Sequence, residues 1–329
     1  MTRGTAALLA ACLAGCASDK PDDFVVRPPA ADAPTAAADT DTDTDTDTDT
    51  DTDTDTATCR ASDTGTCPPV TGGSGTTRDT GPATLKDTAT PPDPTDTGRC
   101  NTAGRPLRQA SGELVPPPPL PAVHDSTAAF WAEQARDEHT SVASFQRFAR
   151  QLRQLGAPGA LIARAEAAAR EEEAHATSAF VVASRLAGVP LALEPVCVPD
   201  DVPADLVTFA LETFLDGCCN ETLSTAVALA QRAHATDARI IAHLDTVIAD
   251  ETGHAALAWA TVRWALAVGG TPVRAALEHQ VARFVVPRAA HVTAPAPALG
   301  HLGTRRTQQA LDDAYRDVVV PCTRALLAA

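Results

Sequence analysis

Beyond residue 125, apolar residues recur in alternating steps of four and three, the spacing that lines one face of an α-helix. Leu161, Ala165, Ala168, Glu172, His175, Ala179, Val182 and Leu186 follow it, and Ile240, Leu244, Val247, Glu251, His254, Ala258, Thr261 and Ala265 repeat it step for step. Two further stretches carry the same signal. In Phe130 to Leu155, Glu138 is in line with Val142, Phe145, Ala149 and Leu152; in Asp205 to His234, Glu221 is in line with Ala210, Phe214, Gly217, Thr225 and Ala228.

Punctuation sets the boundaries. Asp125 or Ser126 suits an N-cap for the first helix, and Gly156-Ala157-Pro158 separates it from the second. Gly188 and Pro190 end the second helix, and a connection of about 15 residues leads to Pro203, long enough to run the length of a helix pair. The third helix ends near 234–237, and the fourth follows at once to Gly269-Gly270. Thr271-Pro272 opens a fifth helix toward Val286, and Arg305 to Leu327 reads as a sixth, interrupted by Pro321. Neither carries a metal-ligand motif, so both are read as packing elements.

Composition agrees with an all-α fold: aromatic residues make up 4% of the chain and alanine is abundant. It also separates two regions. Residues 1–100 hold 18 Asp, no Glu and 7 Lys or Arg, whereas residues 101–329 hold 24 acids and 19 bases. Residues 17–123, with Asp-Thr repeats from Asp39 to Thr56 and the Pro116–Pro119 run, are too polar to offset the entropy of ordering and are expected to form a disordered spacer. No basic stripe suited to a phosphate backbone is present, which argues against nucleic acid as a partner.

The chemistry lies in Glu172-Glu173-Ala174-His175 and Glu251-Thr252-Gly253-His254, the two Glu-x-x-His motifs of the chain. On a helix, Glu and His at this spacing project from one face and can hold one metal ion. Both motifs occupy positions where apolar residues belong, and buried ionisable groups must be paired, hydrogen-bonded or metal-bound. Glu138 and Glu221 extend the set. His139 and Glu133 are rivals in the first helix that share the stripe less well, and His243 lies too far along the fourth helix to join.

Four carboxylates and two imidazoles, in the order Glu138, Glu172-x-x-His175, Glu221, Glu251-x-x-His254, resemble the ferritin-like di-iron carboxylate superfamily. The resemblance covers about residues 125–269. It implies a four-helix bundle over 124–270 with one long crossover, two further helices over 271–329, and two iron ions, with manganese as the alternative. It also implies that Asp250 and, more weakly, Glu171 support the histidines from the opposite helix. The implied activity is that of an oxidoreductase (oxidase, oxygenase or ferroxidase) acting with O2 or peroxide, and with an external electron donor if an oxygenase. The competing reading is a non-catalytic metal-binding or structural lipoprotein. Tyr315 is the single tyrosine and lies in the last helix, which argues against a tyrosyl radical beside the metals.

Residues 1–16 end in Leu13-Ala14-Gly15-Cys16 after a short apolar run and resemble a bacterial lipoprotein signal. The resemblance implies acylation of Cys16, loss of the preceding segment, attachment to a lipid bilayer and an extracytoplasmic location, with Ala17 favouring the outer membrane; an ordinary secretory signal is the alternative. Seven cysteines then remain as thiols, in a compartment where disulfides persist. A bridge from Cys218 to Cys322 is expected to fasten the last helix to the third, with Cys219 or Cys197 as alternative partners. No Cys-x-x-Cys occurs, which argues against a fused rubredoxin-like carrier and a zinc ribbon.

Overall fold

Asp125 caps the first of the long helices by accepting hydrogen bonds from the backbone N–H groups of Thr127 and Ala128. The structure, a computed structural model, describes residues 3–17, 104–109, 111–120, 122–191, 196 and 205–328. Every regular element among them is helical: α1 (Arg3–Ala17), α2 (Ser126–Gln154), α3 (Gly159–Ala187), α4 (206–234), α5 (Ala238–Arg283) and α6 (304–328). Extended pairing among the described residues is confined to two isolated bridges, Arg108 with Leu114 and Ala296 with His301. No described helix is long and apolar enough to cross a membrane.

Three rods depart from regular α-helix. In α4, a π-helical stretch, Thr213–Glu221, lies between α-helical Leu206–Glu212 and Thr222–His234. A π turn closes five residues apart and fits an extra residue into the helix, which apolar periodicity does not register. In α5, Gly270 adopts φ 56° and ψ −136°, a conformation that only glycine takes readily, and Pro272 has no N–H to donate. The break expected at 269–272 is there: two helices meet across a kink at Gly270. In α6, the π turn Tyr315–Val319 precedes Pro321 and accommodates the missing donor.

Apolar layers flank the level at which the charged stripes meet. On one side Trp131, Ala179, Val182, Ala228, Ile240 and Leu244 pack together; on the other, Phe145, Phe148, Leu152, Leu161, Phe209 and Leu257 do so. A third layer lies outside α4 and α5, where α1, the end of α5 and α6 bury Leu8, Cys12, Phe214, Trp259, Val318 and Cys322. Gly217 sits where α4 meets α5, and a Cβ there would run into the Cβ of Ala258.

Two expectations are corrected. The spacer does not extend to 123. Residues 18–103 lie outside the described residues, but 104–109 and 111–120 form a strap over α2 and α4, because that segment carries groups matching polar side chains there. Arg108 makes a bidentate pair with Asp216 (2.5 and 2.7 Å), the Ser141 and Ser144 hydroxyls donate to the carbonyls of Arg105 and Pro106, and Asn220 Nδ2 donates to the carbonyl of Gly104 at 2.8 Å. The Cys218–Cys322 bridge is also absent: both are buried thiols, and Cys322 makes its side-chain hydrogen bond with Cys12, which α1 brings into the layer. Cys219 is a buried thiol as well. Cys197, the side chain of Cys16 and most of the long connection before α4 (192–195 and 197–204) lie outside the described residues.

Candidate metal centre

Each of α2 to α5 places its stripe acid at the same level of the fold. Glu138, Glu172, His175, Glu221, Glu251 and His254 are all between 0 and 3% exposed. Their ligand atoms form two sets, each within 4.8 Å: Glu138, Glu172, His175 and Glu251 in one, Glu172, Glu221, Glu251 and His254 in the other. Glu172 and Glu251 belong to both and are placed to bridge them. These buried Glu/His clusters could hold metal ions. The rivals from α2 stay apart: Glu133 is exposed, and His139 is half-buried in a surface groove.

Each imidazole turns Nδ1 toward the cluster and Nε2 away from it. His175 Nδ1 lies 3.8 Å from carboxylate oxygens of both Glu172 and Glu251, and His254 Nδ1 lies 3.2 and 3.3 Å from the same two residues. The outer nitrogens reach across to the facing helix, His175 Nε2 to Asp250 at 2.9 Å and His254 Nε2 to Glu171 at 2.8 Å. Both acids reach solvent, with side chains 30% and 40% exposed. Fixing a histidine through its other nitrogen sets the tautomer a metal requires. Asp250→Asn and Glu171→Gln are each expected to weaken Mn(II) binding about 10- to 100-fold; unchanged affinity in isothermal titration would reduce these acids to solvated flank residues.

Without metal, protons offset the crowding of acids. Burial pushes the Glu138 and Glu221 carboxyls well above their usual range, with Glu172 and Glu251, respectively, adding to the effect. Burial acts on Glu172 in the same direction, but the imidazoles of His175 and His254 facing it outweigh burial and hold that carboxyl far below its usual range. Burial opposes the charging of His175, yet its hydrogen bond to Asp250 and the nearby charges of Glu172 and Glu251 win and raise it to about 9; His254 is raised in the same way by its bond to Glu171 and by Glu172 and Glu251 beside it.

The sign of the pH dependence follows. The contribution of His175 to metal-free stability is complete below the ordinary histidine pKa of 6.5 and is lost as pH rises through about 9. Metal affinity runs the other way and rises as those protons leave. Co(II) uptake at neutral pH is expected to release about one or more protons per ion, read with a pH indicator in weak buffer; proton-neutral uptake would contradict this protonation state.

Beside the cluster lies a cationic arrangement that sequence reading missed. Arg105 is buried between α2 and α4, its guanidinium carbon 4.2 Å from the Phe148 ring centre, and the Phe145 ring lies 4.9 Å from that of His254. Arg147 pairs with Glu212 at 2.9 Å, as Arg108 does with Asp216. Gly104, at φ +62°, passes so close to the site that a Cβ there would meet the Ser141 hydroxyl and lie 3.2 Å from Glu138 Oε2. Comparison of the chain with family models, curated proteins and solved structures finds no match in any of the three.

Proposed function

We propose that this chain is a ferritin-like, dinuclear-metal oxidoreductase held at a bacterial membrane.

 The single observation carrying this reading is a convergence of orphaned buried atoms. Glu138 Oε2, both carboxylate oxygens of Glu172, Glu221 and Glu251, and Nδ1 of His175 and His254 have no hydrogen-bond partner. Buried polar atoms are nearly always satisfied, and nine such atoms directed at one level of the fold fit a pair of cations. Four carboxylates with two imidazoles suit iron, with manganese as the alternative.

In this reading Glu138, Glu172 and His175 with Glu251 would hold one ion and Glu172, Glu221, Glu251 and His254 the other, Glu172 and Glu251 being common to both sets. Iron held there would supply electrons in pairs for the reduction of dioxygen or peroxide. The chain's own residues do the rest. The flanking apolar layers exclude bulk water, and Asp250 and Glu171 hold the imidazole Nε2 protons so that Nδ1 is free for metal. An anaerobic Fe(II) titration is the test, with uptake of about two ions per chain expected, followed by an optical change on exposure to air. Uptake without reaction would favour a binding protein, and no uptake would overturn the reading.

The anchor is a separate part of the proposal: acylated Cys16 attaches the chain to the outer membrane, and the domain follows it in the sequence. Residues 1–15 must then leave, including Leu8 and Cys12, which are buried against α4, α5 and α6. Mass spectrometry of the membrane fraction should find a mature chain beginning at modified Cys16. Recovery of residues 3–15 in that chain would overturn the anchor and leave α1 as a permanent helix.

A further inference from the structure

Two openings meet at His243. One is a small, largely enclosed cavity of about 20 Å3 that reaches the cluster carboxylates Glu138 and Glu251 and is otherwise lined by a mix of polar (Gln134, Ser224, Gln231, His243) and apolar groups, the Trp131 ring among them. The other is an open groove between α3 and α5, lined by Arg170, His175, Ser178, Arg239 and His243. His243 is the polar side chain common to both, and it is 9% exposed. Ser178 Oγ lies 2.6 Å from its Nδ1, and its ring meets Trp131 edge-on, with centres 5.2 Å apart.

We propose that this cavity is the seat of an uncharged O–O molecule, dioxygen or hydrogen peroxide, and that His243, latched by Ser178, is the door between it and the groove. The proposal rests on the dinuclear reading for its purpose, though not for its test. A space of about 20 Å3 holds one molecule of roughly water size, since about 10–15 Å3 on this measure admits a water. An organic substrate does not fit. Apolar Ala228, Leu244 and Val247 face the guest beside the Gln134 and Gln231 amides, and the Trp131 N–H is already given to the Leu299 carbonyl at 2.9 Å, so a small molecule with no charge of its own suits the lining. A cation approaching from the groove passes Arg170 and Arg239, with Glu173 also on the lining; Arg185, at the same groove, is engaged with Asp237 at 2.9 Å. Burial, with the charge of His175, lowers the His243 pKa to about 4, so the door itself is neutral at physiological pH. Turning the imidazole away from Ser178 joins the groove to the cavity without moving a helix.

Trp131 reports on this space in the metal-free chain, because the other two tryptophans, Trp259 and Trp264, do not line it. Quenching of tryptophan fluorescence by dioxygen is compared in the parent chain, His243→Ala and Ser178→Ala, with caesium and acrylamide as charged and larger probes. Dioxygen quenching is expected to rise severalfold in His243→Ala and less in Ser178→Ala, while caesium and acrylamide quench as in the parent. Adding Trp131→Phe to His243→Ala should remove the rise. Unchanged dioxygen quenching in both folded single variants would overturn the door, and an equal rise with caesium would overturn its selectivity. If His243→Ala fails to fold, Ser178→Ala decides alone. Failure of the Fe(II) titration with a positive quenching result would reject the metal reading and leave the cavity and its door standing.

Discussion

Glu172→Ala combined with His254→Ala is expected to lower divalent-metal affinity by on the order of a hundredfold or more, while the metal-free chain stays folded with its melting little changed. Glu172 belongs to both ligand sets, and His254 Nδ1 faces it at 3.2 Å, so the double substitution removes a shared carboxylate and one imidazole. Stability separates this outcome from simple unfolding. Both side chains are at most 3% exposed, and burying ionised groups is costly. Replacing both members of a buried ion pair with apolar groups of similar volume is often neutral or stabilising by about 1–4 kcal/mol, a gain that the cavity left by the smaller alanine offsets. Mn(II) titration and calorimetric melting of the metal-free protein together decide. A lower melting temperature with metal binding retained would make the cluster a structural ion-pair network.

Asp216→Ala is expected to cost about 3–5 kcal/mol, the usual penalty for stranding one member of a buried ion pair. Its partner Arg108 is 9% exposed in its side chain, and Asp216 occupies both its Nε and Nη2. Released from Asp216, the strap loses its principal attachment to α4, so trypsin should cut after Arg108 much faster than in the parent chain. Urea unfolding measures the first effect and timed proteolysis the second. A parent-like urea midpoint with parent-like cleavage would show that the serine and asparagine contacts alone hold the strap.

The six cluster residues were legible because helical spacing is local: charged side chains interrupting apolar stripes at matching positions can be read without knowing how helices pack. The same rule hid the strap. Gln134, Asp137, Ser141, Ser144, Arg147 and Gln151 form a polar stripe along α2, and Glu212, Asp216 and Asn220 continue the polar character on α4. Such stripes read as solvated faces, yet eight of these nine side chains are buried and Asn220 is partly so. What covers Ser141, Ser144, Arg147, Asp216 and Asn220 is a Pro-containing segment with no period of its own, whose order comes from long-range contacts. The π turns were equally hidden, since a single extra residue leaves Ala210, Phe214 and Glu221 buried while altering the backbone between them. His243 was set aside as too far from the cluster; its place between two spaces depends on which surfaces α3 and α5 leave open.

The crossed histidine contacts have a consequence for how the centre is assembled. His175 meets Asp250 while His254 meets Glu171. A four-residue step along α3 is therefore matched by the same step taken backwards along α5, as in a self-complementary interface related by a local twofold axis. Sliding either helix by one turn breaks both contacts together, so the register of the pair is set as a unit and neither half-site can form while the other is out of place.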